Sequence, residues 1–510
     1  SALSAGNIVA DFPYYYCDTC QDRNFLPVCL ECGTTTTPQF HCQECGYLAK
    51  PCEHTPSSSS KQTFPLNEIF PKLLKSLSLV HYPDLIKGVR GTMNDTHTFE
   101  HPAKGILRAK HDVFVNKDGT TRYDATQLPL THFTPKEIDA SVETLASLGY
   151  TEDIHGQPLT NEEQVVEIFP QDIILPDCAE SPDVGSKEVL TRVANFVDDE
   201  LLHLYKQKRF YNFKSEKDLV GELVIFLAPH TSAGILGRVI GFSHTQSILA
   251  HPYMHSATRR DCDGDENCVL LLMDAFLNFS KGYLSSRRGA TMDTPLVLTT
   301  LLIPSEVDDM VFDMDISWKY PLEFYEATLD LKMPWDVEIP QIKTVLFKPE
   351  QYEGHGFTHH TDNINHTVRC SAYKLLPTMK DKLQGQMDLA DKIRAVNAKQ
   401  VATLVIDKHF MRDAKGNLRQ FSTQEFRCGS CNKKFRRPPL KGACTACGRK
   451  LLFTVAQGSV VKYVEPMTSL ATKYEVDEYL QETIRLLHKR IEGVFGKDAE
   501  KQTSLGAWFG

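Results

Sequence analysis

The sequence predicts a multidomain, mixed α/β protein built around zinc-binding modules. Three observations carry that expectation: a length of 510 residues, cysteines clustered in CxxC pairs, and a middle stretch where helix-period and strand-length apolar runs alternate. At ~100–200 residues per domain, the length corresponds to roughly three or four compact units.

With 41% hydrophobic and 24% charged residues the composition is that of a soluble globular chain, and no apolar run approaches the ~20 residues of a membrane helix. A net charge of -9 argues against a surface coated in positive charge, so any nucleic-acid contact must come from local basic clusters. Most of the 15 cysteines fall in CxxC pairs and no secretory signal precedes them, which points to zinc in a reducing, cytoplasmic compartment. The opening "SALSAGNIVADF" lacks an initiator Met and reads as an excised part of a longer polypeptide.

Residues 1–55 are expected to hold the N-terminal zinc modules, and "TPSSSSKQT" (Thr55 to Thr63) to be a linker or loop. Residues 56–185 read as a mixed α/β region of the core, with helical spacing in "LNEIFPKLLKSLSLV" and a hairpin about the DG turn of "FVNKDGTTRYDAT". Residues 186–345 open with an amphipathic helix from about Ser186 to Tyr211. "ELVIFLAPH" follows as a strand, and in "SAGILGRVIGF" the glycines imply a sharp turn or a close approach. After an acidic turn, "VLLLMDAFLNF" reads as a buried helix and "PLVLTTLLI" as a strand. Residues 346–425 are expected to form an α/β accessory or clamp-like region, 426–465 a zinc ribbon, and 466–510 a C-terminal helix and tail. Val476, Leu480, Ile484, Leu487, Ile491 and Val494 share one face of that helix.

Cys428, Cys431, Cys444 and Cys447 have zinc-ribbon spacing, two knuckles supplying four tetrahedral thiolates. Cys17, Cys20, Cys29 and Cys32 make a second set, and Cys42, Cys45, Cys52 and His54 a third, with His41 a competing ligand. None leaves an open position for substrate, so all three read as structural zinc sites. Lys433, Lys434, Arg436 and Arg437 flank the ribbon, either as phosphate contacts or as a solvated face.

In "RRDCDGDE" Asp261, Asp263 and Asp265 alternate around Gly264, which permits a tight bend that would bring the carboxylates together on a hard cation such as magnesium. Arg259 and Arg260 are placed to hold phosphates. An EF-hand is excluded, since counting from Asp261 its sixth and twelfth positions are Glu266 and Leu272. A merely solvated acidic turn competes, and spacing alone does not separate the two.

Resemblance separates them. "RRDCDGDE" is similar to the metal-binding loop of two-barrel polymerases. "APHTSAGILGRVIGF", "AHPYMHSATRRDCDGDE", "LLMDAFLNFSKGYLSSRRGATMDTPLVLTT", "YPLEFYEAT", "THFTPKEI" and "FRCGSCNKKFRRPPLKGACTACG" resemble the large, catalytic subunit of archaeal D-family DNA polymerase over nearly the whole chain, as its C-terminal portion. The resemblance implies a double-psi β-barrel catalytic core with zinc modules and DNA-directed DNA synthesis in genome replication. It further implies magnesium on Asp263 and Asp265 assisted by Asp261, primed template and deoxynucleoside triphosphates as substrates, and a smaller exonuclease subunit as partner. Localisation would be cytoplasmic, at the archaeal nucleoid. The family commonly has Asn at the position of Asp261 and Asp at that of Asn267. His230, His251, His255, Arg238, Arg287 and Arg288 lie in family-like stretches as candidate substrate or DNA contacts, the histidines equally as structural residues.

The tail "QTSLGAWF" places Gln502, Leu505, Trp508 and Phe509 in the pattern that docks on the PCNA sliding clamp; an aromatic pair packing on its own domain is the alternative. A noncatalytic zinc-rich scaffold for nucleic acid and an RNA-polymerase-like two-barrel enzyme are the competing functions. No Walker loop, GxGxxG, GxSxG or HExxH occurs, so ATPase, dehydrogenase, esterase and metalloprotease readings lack support.

Overall fold

The computed structural model describes residues 6–81, 85–89, 97–229, 231–280, 282, 296–358, 363–366, 375–431, 433–452, 455 and 457–495. The chain forms two compact units, residues 1–370 and 371–510.

The first unit begins with a sheet of β1 (Ile8–Cys17), β2 (Asp22–Asn24), β3 (Thr37–Cys42), β4 (Gly46–Leu48) and β5 (Ser59–Phe64), ordered β2-β1-β3-β4 with β5 paired to β1. The Ser-rich stretch expected to be a loop is thus a strand. Its backbone pairs antiparallel with β1 from Ile8↔Phe64 to Pro13↔Ser59, and the Gln62 amide donates to the Phe12 carbonyl at 2.8 Å. A strand completes its hydrogen bonds on a neighbour's edge, so polar side chains do not prevent pairing.

The helix Leu66–Ser76 forms as expected and buries Phe70 and Leu73. The expected hairpin does not form. Asn116–Thr120 turns, with the Asn116 amide donating to the Thr120 carbonyl at 2.8 Å, but only the residues after it become a strand, β6 (Tyr123–Pro129). Arg108, buried, donates to the Gly119 carbonyl of the turn.

β7 (His132–Phe133) and β8 (Val166–Glu167) make a small pair. β9 (Asp172–Pro176), β10 (Leu223–Leu227), β11 (Ala233–Ser243), β12 (Ser247–Ala250) and β13 (Glu266–Leu271) join β6 in a ring ordered β10-β13-β6-β12-β9-β11, closed by β11 pairing back onto β10. Two neighbours in the ring, β6 with β12 and β9 with β11, run parallel; the other pairs are antiparallel. β14 (Val297–Thr299) adds in parallel to β11. The ring takes strands from both sides of residue 186, where the sequence suggests a boundary.

Closure buries both faces. Ile173, Val224, Val239, Ile248 and Val269 belong to one buried cluster with Tyr123 of β6, while their chain neighbours fall into others: Ile174, Ile240 and Leu249 in one, Ile225, Cys268 and Leu270 in another. This explains why residues 266–271 are a strand and not the start of a helix. A short run apolar at every position suits either, and pairing with β10 and β6 decides it. Helix begins only at Leu272–Asn278. The glycines of β11 mark close approach and not a sharp turn: a Cβ at Gly241 would lie 2.5 Å from the Ile138 carbonyl oxygen. The helix Ser186–Asp199 continues as one π-turn, Glu200–Leu204, and stops short of Tyr211.

The described residues of the second unit are helical apart from the short three-stranded sheet that carries Cys428, Cys431, Cys444 and Cys447. Met379–Lys392 packs with a continuous helix running from Ala398 to Thr423 through a π-turn at Val405–Phe410. Val464–Lys473 and Glu478–Phe495 complete the core, the latter burying Leu480, Ile484, Leu487 and Ile491 as its period predicts, with Val494 exposed. The described residues of 346–425 contain helices and no strand, unlike the α/β accessory region expected there.

Candidate metal centres and the aspartate loop

All three cysteine-rich sets come together, each with its four ligand atoms within 4.8 Å of one another. Cys17 and Cys20 leave the end of β1, Cys42 and Cys45 the turn between β3 and β4, and Cys428 and Cys431 the turn after the strand Phe426–Cys428. Hydrogen bonds from Thr34 and from the Cys20 amide lower the Cys17 thiol, and amides of Cys431 and Ser430 lower that of Cys428, while their neighbours Cys20 and Cys447 are raised by sharing the cluster. In the third set His54, not His41, is the histidine: its Nδ1 lies 3.3 Å from Cys45 Sγ, while His41 packs against Tyr47.

The aspartate loop joins the helix Pro252–Ala257 to β13. His251 caps that helix, its Nδ1 accepting from the Tyr253 amide at 3.1 Å. Gly264, at φ +100°, makes the bend. Asp261 and Asp263 are exposed and Asp265 half-buried, with Arg260 Nη1 3.4 Å from Asp265 Oδ2. The carboxylates do not converge as expected. Among the described residues only the three cysteine-rich sets place three or more metal-ligand types within 4.8 Å of one another, and three like charges in solvent favour separation. Cys262 is exposed at the tip, whereas Cys268 is fully buried and its thiol donates to the Leu227 carbonyl.

What the loop rests on was not visible in the motif. Gln127 of β6, fully buried, donates its backbone amide to the Asp265 carbonyl at 2.9 Å and its side-chain amide to the Asp261 carbonyl at 2.6 Å. Its Oε1 accepts from Asn267 Nδ2 at 2.9 Å, and Asn267 also donates to Thr258 Oγ1 at 3.0 Å. No local signal marks a glutamine lying 134 residues before Asp261.

Several candidate contacts are structural. Arg238, half-buried, pairs through Nε and Nη2 with the two carboxylate oxygens of Asp172. His255 is fully buried, donates from Nε2 to the Leu128 carbonyl, and is pushed down to about 4 by burial; His251 is fully buried and likewise depressed. Neither reaches the surface. Arg259 is exposed beside the loop, as are Lys433, Lys434, Arg436 and Arg437 on the ribbon. His230, Arg287, Arg288, Gln502, Leu505, Trp508 and Phe509 lie outside the described residues.

A closed six-strand ring that carries an acidic loop on one strand, in a chain that also gathers three cysteine-rich sets able to hold a metal ion, defines a mixed α/β protein. Residues 80–382 match the family model described as DNA polymerase II large subunit DP2, catalytic domain. The chain is 46% identical over 507 residues to the DNA polymerase II large subunit of Archaeoglobus fulgidus, and 44% identical to those of Methanothermobacter thermautotrophicus and Pyrococcus furiosus. These alignments cover 98%, 99% and 97% of this chain, and 44%, 44% and 40% of the respective relatives, so the chain spans less than half of their length. The chain belongs to the DNA polymerase II large subunit family. Among the described residues no helix is long and apolar enough to cross a membrane.

Proposed function

We propose that this chain carries catalytic machinery of a D-family, two-barrel DNA polymerase, performing template-directed nucleotidyl transfer in archaeal replication, and that its six-strand ring is a double-psi β-barrel. The carrying observation is the aspartate loop, anchored on the ring by two backbone carbonyls and lying inside the segment matching a polymerase catalytic domain.

The donors fit magnesium: carboxylate oxygens, solvent-reachable, few in number, as suits a cation that keeps several waters and shares substrate phosphates. When bound, magnesium supplies an activated attacking oxygen and charge neutralisation on the leaving group. Asp263 and Asp265 would hold the cation, with Asp261 assisting. Exposed Arg259 faces incoming phosphates, and Arg260, paired to Asp265, shares its guanidinium between the loop and the triphosphate. Lys433, Lys434, Arg436 and Arg437 contact the DNA backbone. Zinc in the three cysteine-rich sets is structural. A small exonuclease subunit and PCNA, the latter through Gln502, Leu505, Trp508 and Phe509, are the protein partners, at the cytoplasmic nucleoid.

The test is primer extension by the full polypeptide carrying this chain with its partner subunit, comparing Asp263→Ala and Asp265→Ala with wild type. Loss of at least about 100-fold is expected. Retained synthesis removes the catalytic assignment, and DNA binding indifferent to both aspartates and to magnesium, without synthesis in the wild type, supports the noncatalytic scaffold.

A further inference from the structure

We propose that Gln127 is a positioning residue that pins both ends of the aspartate loop so that its carboxylates can gather on a cation, with Asn267 and Thr258 fixing the amide. This deepens the reading above and rests on it.

One residue of β6 binds both ends of the loop. Its backbone amide takes the carbonyl of Asp265 and its side chain the carbonyl of Asp261, so the intervening Cys262-Asp263-Gly264 must turn outward. Gly264 at φ +100° absorbs the bend, and its α-carbon lies over Thr126, where an added Cβ would be 3.8 Å from Cγ2. Like charges on Asp261, Asp263 and Asp265 push the loop open; the carbonyl clamp opposes that without using any carboxylate, leaving Asp261 and Asp263 exposed and Asp265 half-buried beside Arg260.

The amide of Gln127 has its orientation set. Asn267 Nδ2 donates both to Gln127 Oε1 and to Thr258 Oγ1, and Thr258 in turn donates to the His255 carbonyl at 2.7 Å. With Oε1 thus engaged, the Nε2 end must face Asp261. Gln127 and Asn267 are both fully buried, so removing a partner leaves an amide with no water to replace it. The same strand holds the preceding helix, the His255 Nε2 donating to the Leu128 carbonyl. Groups that orient a ligand without touching the ion affect affinity by about 10–100-fold.

The experiment titrates manganese, followed by the electron spin resonance of free ion, into the full polypeptide with its zinc in place. The signal counted is the binding that Asp263→Ala/Asp265→Ala abolishes. Gln127→Met keeps the shape and removes both side-chain hydrogen bonds; Thr258→Val removes one acceptor and disturbs folding less. The expected result is half-saturation at least about tenfold higher in Gln127→Met, a smaller rise in Thr258→Val, and primer extension restored by excess magnesium. If the double aspartate variant binds manganese as wild type does, the catalytic reading falls. If it loses binding while Gln127→Met stays within about twofold of wild type, the positioning role falls. Should Gln127→Met not fold, an unchanged half-saturation in Thr258→Val overturns it equally.

Discussion

Arg238 and Asp172 meet in a two-pronged ion pair, Nε to Oδ1 at 2.9 Å and Nη2 to Oδ2 at 2.8 Å, where β9 and β11 run side by side in register. The Tyr150 hydroxyl donates to the same carboxylate at 2.6 Å, and burial together with that carboxylate raises the tyrosine well above its usual range. The pair locks one of the two parallel seams of the ring.

From this follows a stability prediction. Arg238→Ala leaves a buried carboxylate facing Tyr150 alone and lowers unfolding free energy by about 3 kcal/mol, the low end for a broken buried pair because Arg238 is only half-buried, measured by chemical denaturation. Weakened DNA binding with unchanged stability would instead return Arg238 to the DNA-contact role.

Asp274 gives a pH dependence. It is fully buried, and burial raises it to about 7 against the hydrogen bonds from the Thr121 amide and Asn278. A carboxyl raised on folding is protonated in the native state at pH values where the unfolded chain has lost the proton. Its contribution is therefore complete below about 4 and is lost as pH rises to about 7, with a slope of up to about 1.4 kcal/mol per pH unit. Unfolding free energies of wild type and Asp274→Asn across about pH 4–8 should converge or cross over that window, and parallel curves would refute the shift.

Zinc content checks the ligand sets. Cys428→Ser should reduce the bound zinc measured by atomic emission by one equivalent, expose the ribbon to protease, and leave the other two sets loaded. His41→Ala should leave zinc unchanged, whereas His54→Ala should not.

Neutralising Lys433, Lys434, Arg436 and Arg437 to Gln tests the ribbon face. For each of these side chains that binds a phosphate, the substitution should reduce the slope of log affinity against log salt by about 0.9 on duplex DNA. An unchanged slope in a fluorescence anisotropy titration assigns these exposed side chains to a solvated surface.

The parts legible in the sequence are local ones. Zinc ligands of one knuckle share a single turn, so spacing alone predicts the knuckles. The Glu478–Phe495 helix follows from a period along one element, and the need for glycine at 264 from a single backbone angle. The kinship to large subunits of archaeal DNA polymerases was legible as well, because its motifs are contiguous strings; the comparisons name the family DNA polymerase II.

Tertiary structure decided what depends on partners far apart in the chain. Residues 266–271 are a strand because β10 and β6 flank them, and Ser59–Phe64 is a strand because β1 offers an open edge. Arg238 is paired because ring closure sets it against Asp172. Gln127 matters because a parallel and an antiparallel neighbour place it beneath a loop far along the chain. Periodicity and spacing encode what a residue does with its near neighbours; burial and hydrogen-bond pairing across a closed sheet exist only once the chain has folded.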